Sequence, residues 1–263
     1  MPTFPLEPVC LENWLYHAVR EVVQVKRPAN CIGKHPAGCI LGLDGIIGCE
    51  KSSMPTRGAE VSAAMTSTPP ASGGVAPILL FNGTGTSPGD VAALEKILSS
   101  EHLNYSTINS PQLIGTSESQ LREYRLLIVP GGNFVQIGNS LTSTTTANIH
   151  NAVQNGLNFL GVCAGAFFAG NSPYHGLNLT AGARFGFYAA EARGIRKAPV
   201  PVTAVGGQAL DQYWEDGPQL TGWGAVVGKY PDGTSAIAEG TFGNGWVILT
   251  GFIPRPRRVG GAA

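Results

Sequence analysis

From residue 77 onward the sequence alternates continuous apolar runs with helical patterns, and this alternation constrains the fold more than any other feature. The apolar runs cover residues 77–82, 125–129 and 157–163. The helical patterns that follow them cover residues 91–98, 142–155 and 164–169. Runs that are almost entirely apolar are typical of strands buried on both faces. Because strand and helix alternate, we predict a parallel α/β sheet with right-handed crossovers.

The segments after residue 176 have a different character: they are short, punctuated by glycine and β-like. We expect antiparallel strands to be added to the sheet there, and the last strand, 246–250, to return to it. The predicted fold class is therefore α/β, with a doubly wound, mostly parallel sheet and antiparallel strands in the C-terminal half.

The charge composition limits the classes of partner. Charged residues make up only 13% of the 263 residues, and 17 basic groups balance 17 acidic ones. This balance argues against a nucleic-acid-binding surface and against electrostatic binding to a membrane. No run approaches the ~18 apolar residues that a membrane span needs. We therefore predict no nucleic-acid partner and no membrane span.

The segment 1–76 differs from the rest, because only one amphipathic helix, between Trp14 and Val25, stands out in it. We interpret the segment as a poorly structured leader or linker; alternatively, the true start is Met54 or Met65. Residues 77–254 form the predicted domain and residues 255–263 an irregular tail. Four cysteines of the leader have spacings unlike the paired ligands of zinc sites, and we predict neither a metal nor another cofactor. They are Cys10, Cys31, Cys39 and Cys49.

The most informative stretch is Gly161-Val-Cys-Ala-Gly165, which places a cysteine between two glycines where a strand meets a helix. A nucleophile elbow has this pattern, because small neighbours let the nucleophile stand clear of a tight turn. The helix N-terminus lowers a thiol pKa and offers backbone N–H groups to an oxyanion. We therefore predict that Cys163 is a catalytic nucleophile. The alternative is a small buried hydrophobic residue, since free cysteine is commonly buried.

A second glycine pair, Gly131–Gly132, ends the neighbouring predicted strand. Strand C-termini in open α/β sheets form the ligand crevice. We predict that an oxyanion or substrate is held there by five residues. They are Gly131, Gly132, Ala164, Asn133 and Gly85. The last belongs to Gly83-Thr-Gly-Thr86, which lacks the lysine and the spacing of a nucleotide-binding loop, and we expect it to line the same crevice.

The two glycine-bearing motifs resemble a known family. Two segments are similar to motifs of the class I glutamine amidotransferase-like superfamily: Leu126-Leu-Ile-Val-Pro-Gly-Gly132 and Phe159-Leu-Gly-Val-Cys-Ala-Gly-Ala166. Within that superfamily they most resemble the biotin-protein ligase N-terminal domain type, which is often found in bacteria. The likeness covers about residues 77–254. It implies a flavodoxin-like, glutamine amidotransferase-like fold and a cysteine that attacks a small amide, but no biotin chemistry. It also implies a histidine, in a His-x-Glu arrangement after the final strand, as the base.

This sequence departs from the family at that histidine. Phe252-Ile-Pro-Arg255 stands where such relatives have a residue followed by His-Pro-Glu, and Ile253 cannot take the thiol proton. His175 is the alternative base that we consider, whereas His102 and His150 fit solvated helix positions. With suitably chosen codons for residues 252–261, one extra base ahead of them would shift the reading frame so that it encodes His-Pro-Glu at this position. We therefore predict a one-base deletion near codon 251 or 252, which the coding sequence would test.

Two functions of different classes remain open at this point. The first is a cysteine-dependent amidase or amidotransferase-like hydrolase, impaired by loss of the histidine, with a separate synthase as a conceivable partner chain. The second is a non-catalytic module of the same fold that binds a small molecule. Tyr213-Trp-Glu-Asp216 fits a surface β-hairpin with one buried aromatic residue, and the alternative is that it lines a pocket. The compartment is left open, with the cytoplasm slightly favoured because a lone domain cysteine needs no oxidising environment.

Overall fold

The structure, a computed structural model, describes Val19, residues 76–204, Gly207 and residues 209–253. The four leader cysteines, the interpretation of the remaining leader as poorly structured, and the tail 255–263 lie outside the described residues. Among the described residues, no helix is both long enough and apolar enough to cross a membrane.

The first half of the described domain alternates strands with helices, and the second half is built mainly of strands. In chain order the elements are β1 (Ile78–Phe81), α1 (Pro88–Ser100), β2 (Tyr105–Ile108), α2 (Ser110–Ile114), α3 (Glu118–Leu121), β3 (Leu126–Val129), α4 (Phe134–Asn139), α5 (Ser143–Gln154), β4 (Asn158–Val162), α6 (Ala164–Ala169), β5 (Arg184–Phe187), a 3₁₀ turn (Glu191–Arg193), β6 (Lys197–Ala204), β7 (Ala209–Glu215), β8 (Pro218–Thr221), β9 (Ala225–Lys229), β10 (Ser235–Phe242) and β11 (Gly245–Thr250).

The strands form one sheet in the order β2-β1-β3-β4-β11-β10-β9-β6-β7, with β8 on β10 and β5 on β8. The first five strands of this order are parallel, and β11 returns to lie beside β4, with Val247 opposite Phe159. The pairs β10–β11, β9–β10, β6–β9 and β6–β7 are antiparallel. The predicted fold class is therefore confirmed, including the return of the last strand.

Both faces of the parallel half are buried, which explains its continuous apolar runs. Successive side chains of a strand point to opposite faces, so Ile78 and Leu80 of β1 join the core beside α1. Leu79 and Phe81 join the core on the other face. The covering helices begin at polar caps: the Ser87 side chain accepts a hydrogen bond from the Asp90 N–H, and Thr142 caps α5 in the same way.

Val19, which precedes the main described range, contributes to this core. It is helical and 1% exposed, in the cluster of hydrophobic side chains that includes Ile78 and Leu94.

Substituting Val19→Ala is expected to lower the free energy of unfolding by about 1–3 kcal/mol, since it removes buried methyl groups and leaves a cavity. Urea unfolding of the full chain measures the change. Val226→Ala is the matched control, because Val226 is 39% exposed and its truncation should change stability little. Equal effects of the two substitutions would contradict a core role for Val19.

Candidate active site

Cys163 lies at a sharp turn between β4 and α6, as the sequence predicts. Its backbone has φ 49° and ψ −104°, a conformation that a residue with a side chain adopts only at an energetic cost. The Cys163 N–H donates to the Thr250 carbonyl over 2.8 Å, so the strained residue is tied to the end of β11. Such strain at a strand-to-helix junction is the backbone signature of a nucleophile elbow.

The two glycines that flank the cysteine are required by close backbone packing. A Cβ on Gly161 would stand 2.6 Å from the Gly165 carbonyl oxygen, too close for any real contact. A Cβ on Gly165 would overlap the carbonyl oxygen of Val129 on β3. The two glycines that flank Cys163, here called the bracket, therefore let α6 begin directly against β4 and β3. This packing requirement explains why their spacing predicts a tight turn at the cysteine.

The structure brings the other predicted glycines together at the C-terminal ends of β1 and β3. The Asn133 N–H donates to the Gly85 carbonyl over 2.8 Å, and the Ser87 N–H donates to the Gly131 carbonyl over 2.8 Å. Gly132 has φ 140°, and a Cβ there would overlap the Gly85 carbonyl oxygen. The loop after β1 and the loop after β3 thus form one unit.

Asn133 is used within this unit. Its side-chain oxygen accepts a hydrogen bond from the Gln136 N–H over 3.0 Å and caps α4, while its own N–H is bound to Gly85. Its predicted part in substrate binding would be indirect, through the shape of the loop.

The glycine loop and the elbow are in contact. A Cβ on Gly131 would stand 3.4 Å from the Cys163 Cβ, and the Ala164 N–H donates a hydrogen bond to the Cys163 sulfur. Within the part of the chain that the structure describes, neither the Gly131 nor the Gly132 N–H has a hydrogen-bond acceptor. The Ala164 N–H thus lies at the thiol and the Gly131 backbone packs beside Cys163, and the predicted oxyanion role of Gly131, Gly132 and Ala164 stays a prediction.

The thiol itself is covered by the turn 215–217 between β7 and β8, here called the covering turn. Cys163 is 6% exposed, and its Sγ donates to the Glu215 carbonyl over 3.4 Å. The preceding Trp214 is fully buried, which agrees with one buried aromatic residue in this hairpin. The hairpin is not simply a surface feature, however, since its end lies on the candidate nucleophile.

The covering turn is held by charged and backbone contacts. Arg196 pairs with Glu191 and, through Nε, with Asp216 over 3.4 Å, and the Asp216 N–H donates to the Arg196 carbonyl. The Arg196 hydrogen bond lowers the pKa of Glu191, whereas partial burial and then the neighbouring Glu191 raise that of Asp216. A Cβ on Gly217 would overlap the Gly251 carbonyl oxygen, so the turn packs directly on the chain after β11.

Burial raises the pKa of the Cys163 thiol to about 12. The negative charge of Asp90 is the second cause, and the charges of Glu215 and Asp216 act in the same direction. The Ala164 N–H lowers this pKa, as expected for a helix N-terminus, but burial and the carboxylates outweigh it. Cys163 is therefore a protonated thiol at neutral pH.

No histidine among the described residues contacts this thiol. The His175 Nδ1 lies 3.1 Å from the Leu141 carbonyl oxygen, so the alternative base is engaged elsewhere. His102 is exposed at the end of α1, as predicted. His150 differs from its prediction: it is partly buried, its Nδ1 lies 2.8 Å from the Leu177 carbonyl oxygen, and its ring packs on Phe242.

Ile253, at the position of the family's histidine, belongs to the wall of the site. It is 6% exposed in the same hydrophobic cluster as Cys163, and its N–H donates to the Tyr213 carbonyl over 2.8 Å. A hydrocarbon side chain there accepts no proton, so this part of the structure leaves the thiol without the family's base.

Asp90 is a site residue that the sequence reasoning missed. It lies in the first turn of α1, is 8% exposed, and its Oδ2 would be overlapped by a Cβ on Gly131. Acidic residues in the first turn of a helix are common, because they complement its dipole. Nothing in the sequence therefore distinguished Asp90 from an ordinary helix start.

A surface cavity of about 450 Å³ lies between the loop 83–86 and α1. It is lined by the loop together with Pro88, Val91, Ala92 and Glu95, and Cys163 is not part of its lining. The loop therefore lines this cavity and also contacts the glycine unit of the candidate site, and the predicted role of Gly85 in substrate binding stays a prediction.

The fold is that of a glutamine amidotransferase-like α/β domain. Residues 76–195 match the family model described as "Biotin-protein ligase, N terminal", which confirms the family predicted from the motifs.

Comparison with solved structures finds similarities at low sequence identity. A crystal structure of glutamine amidotransferase has a TM-score of 0.54 and 16% identity, covering 68% of this chain and 90% of that one. A cytoplasmic protein from Salmonella typhimurium has a TM-score of 0.47 and 12% identity, covering 69% and 89%. An exo-beta-1,4-mannosidase from Opitutaceae bacterium strain TAV5 has a TM-score of 0.46 and 13% identity, covering 68% and 31%. No curated protein was found to match.

Proposed function

We propose that the domain 77–254 carries a cysteine-nucleophile site for a small amide, and that this chain is impaired in the reaction because position 253 is isoleucine. The observation that carries the proposal is the backbone of Cys163, held at φ 49° between β4 and α6. The adjacent Ala164 N–H, bound to the sulfur, supports it further. A strained cysteine with an amide donor beside its sulfur is the arrangement that acyl transfer needs.

The reaction would proceed in two steps. The sulfur attacks the amide carbonyl carbon, the carbonyl oxygen becomes an oxyanion held by backbone N–H groups, and the amine leaves with a proton that a base has taken from the thiol. Water then hydrolyses the thioester and releases the acid. Both steps need a side chain that accepts and donates a proton, and the Ile253 side chain can do neither. Transfer of the released amine to a separate synthase chain would require a further partner.

A non-catalytic binding module of the same fold is the second candidate. The observation that favours it is the state of the thiol, which is buried beneath the covering turn with its pKa raised to about 12. A protonated thiol is a poor nucleophile, so the domain as it stands would bind a small molecule without turning it over.

Restoring the family's residues tests the first candidate. The double substitution Ile253→His and Arg255→Glu is expected to raise acyl-enzyme formation with a panel of small primary amides by about 10²–10⁴-fold, the usual contribution of a general base. Intact-protein mass spectrometry of the trapped adduct measures it. Ile253→Leu with Arg255→Glu is the matched control without imidazole, and adding Cys163→Ser should abolish the adduct. A folded histidine variant that forms none would favour the binding module.

A further inference from the structure

Asp90 and Cys163 face the same point in the candidate site. A Cβ on Gly131 would overlap the Asp90 Oδ2 and stand 3.4 Å from the Cys163 Cβ. The carboxylate oxygen and the nucleophilic residue therefore lie on the same side of the Gly131 backbone. Asp90 is 8% exposed, so its charge acts through protein rather than through bulk water, where it would be strongly screened.

The other charges around the thiol have the same sign. Glu215 lies in the covering turn with its carbonyl on the sulfur, and Asp216 follows it. Arg196 pairs with Asp216, which offsets that charge, and the Tyr213 hydroxyl donates to the Glu215 carboxylate. The three charged groups that raise the pKa of the thiol, Asp90, Glu215 and Asp216, are all acidic.

We propose that Asp90 is a specificity-determining residue, which selects neutral or cationic amides and disfavours substrates with a carboxylate beside the reacting carbonyl. The inference rests on the proposed function, because it assumes that a substrate carbonyl approaches Cys163 past Gly131. A group attached to that carbonyl would come close to the Asp90 carboxylate, where an ammonium group is attracted and a carboxylate repelled. Substrate class thus follows from charge rather than from the shape of a large pocket.

The charge preference can be measured without catalysis. Cys163 is treated with two thiol reagents of similar size and opposite charge, 2-(trimethylammonio)ethyl and 2-sulfonatoethyl methanethiosulfonate. Rates are followed by mass spectrometry of the peptide that contains Cys163, at low salt. The ratio of the two rates cancels the cost of exposing the buried thiol. We expect this ratio to be about tenfold or more higher in the native chain than in the chain unfolded in urea.

Asp90→Asn, which keeps the size of the side chain, should lower the native ratio several-fold, and added salt should lower it in wild type. Glu123→Gln is the matched control, because Glu123 is an exposed acid outside the site. A native ratio equal to that of the unfolded chain would overturn the inference, and so would a folded Asp90→Asn chain with the wild-type ratio.

If Asp90→Asn does not fold, the comparison of the native and unfolded wild-type rate ratios still tests the inference. In that case Glu215→Gln should lower the native rate ratio less than high salt lowers it in wild type. Since no acyl-enzyme is involved, a failed amidase assay leaves this result interpretable. Conversely, equal rate ratios in the native and unfolded chains would overturn the charge preference but would not contradict the proposal that Cys163 is a nucleophile.

Discussion

Alkylation of Cys163 by iodoacetamide is expected to accelerate about tenfold per pH unit from pH 7 to pH 10, with no plateau in that range. Only the thiolate reacts, and below its pKa the thiolate fraction rises tenfold for each unit of pH. With the pKa raised to about 12, the fraction keeps rising throughout. At pH 7 the thiolate would be about three-thousandfold scarcer than in a free cysteine with a pKa of ~8.5.

Mass spectrometry of the peptide that contains Cys163 measures this profile, because four other cysteines are present in the chain. The urea-unfolded chain is the reference, and its rate at Cys163 should level off near pH 9. A native profile that levels off near pH 8 would show an activated thiol and would remove the basis for calling the site impaired. The same profile for Ile253→His with Arg255→Glu should shift to lower pH.

Gly165→Ala is expected to destabilise the domain by about 3 kcal/mol or more, or to prevent folding. Its Cβ, at the start of α6, would overlap the Val129 carbonyl oxygen at the end of β3, so either the helix start or the strand end would have to shift. Urea unfolding followed by circular dichroism measures the change, and loss of soluble protein would agree with it.

The control for this substitution is Gly89→Ala in the first turn of α1. The nearest atom to a Cβ there is the Ser87 Oγ at 3.8 Å, an ordinary contact. Alanine is the better helix former, so Gly89→Ala should leave stability unchanged or raise it by up to about 1 kcal/mol. A Gly165→Ala chain as stable as wild type would mean that the bracket at Cys163 is not a packing requirement.

The parallel half of the fold was predictable because its signals are local. β1, β3 and β4 are short apolar runs buried on both faces, and α5 lies within the predicted helix 142–155, with Thr142 as its N-cap. The pair β5–β8 was not predicted. Both strands are four residues long, β8 begins with a proline, and their register joins Arg184 to Thr221 across the intervening chain. No pattern within either segment specifies that pairing.

The candidate site was predictable to the same extent. The bracket around Cys163 and the glycine pair after β3 have a local cause, since tight backbone approach excludes side chains there. Asp90 and the covering turn reach the thiol from other parts of the chain, and their sequences fit an ordinary helix start and an ordinary hairpin. Their roles became visible only from contacts.

The sequence by itself determined the parallel sheet and the position of a cysteine at a strand-to-helix elbow, because apolar runs and obligatory glycines act within a few residues. Only the tertiary structure decided the state of that cysteine. Its pKa depends on burial and on charges that folding brings near, and the carbonyl that covers its sulfur belongs to a residue 52 positions away. Folding thus buries the thiol at this strand-to-helix elbow and keeps it protonated at neutral pH.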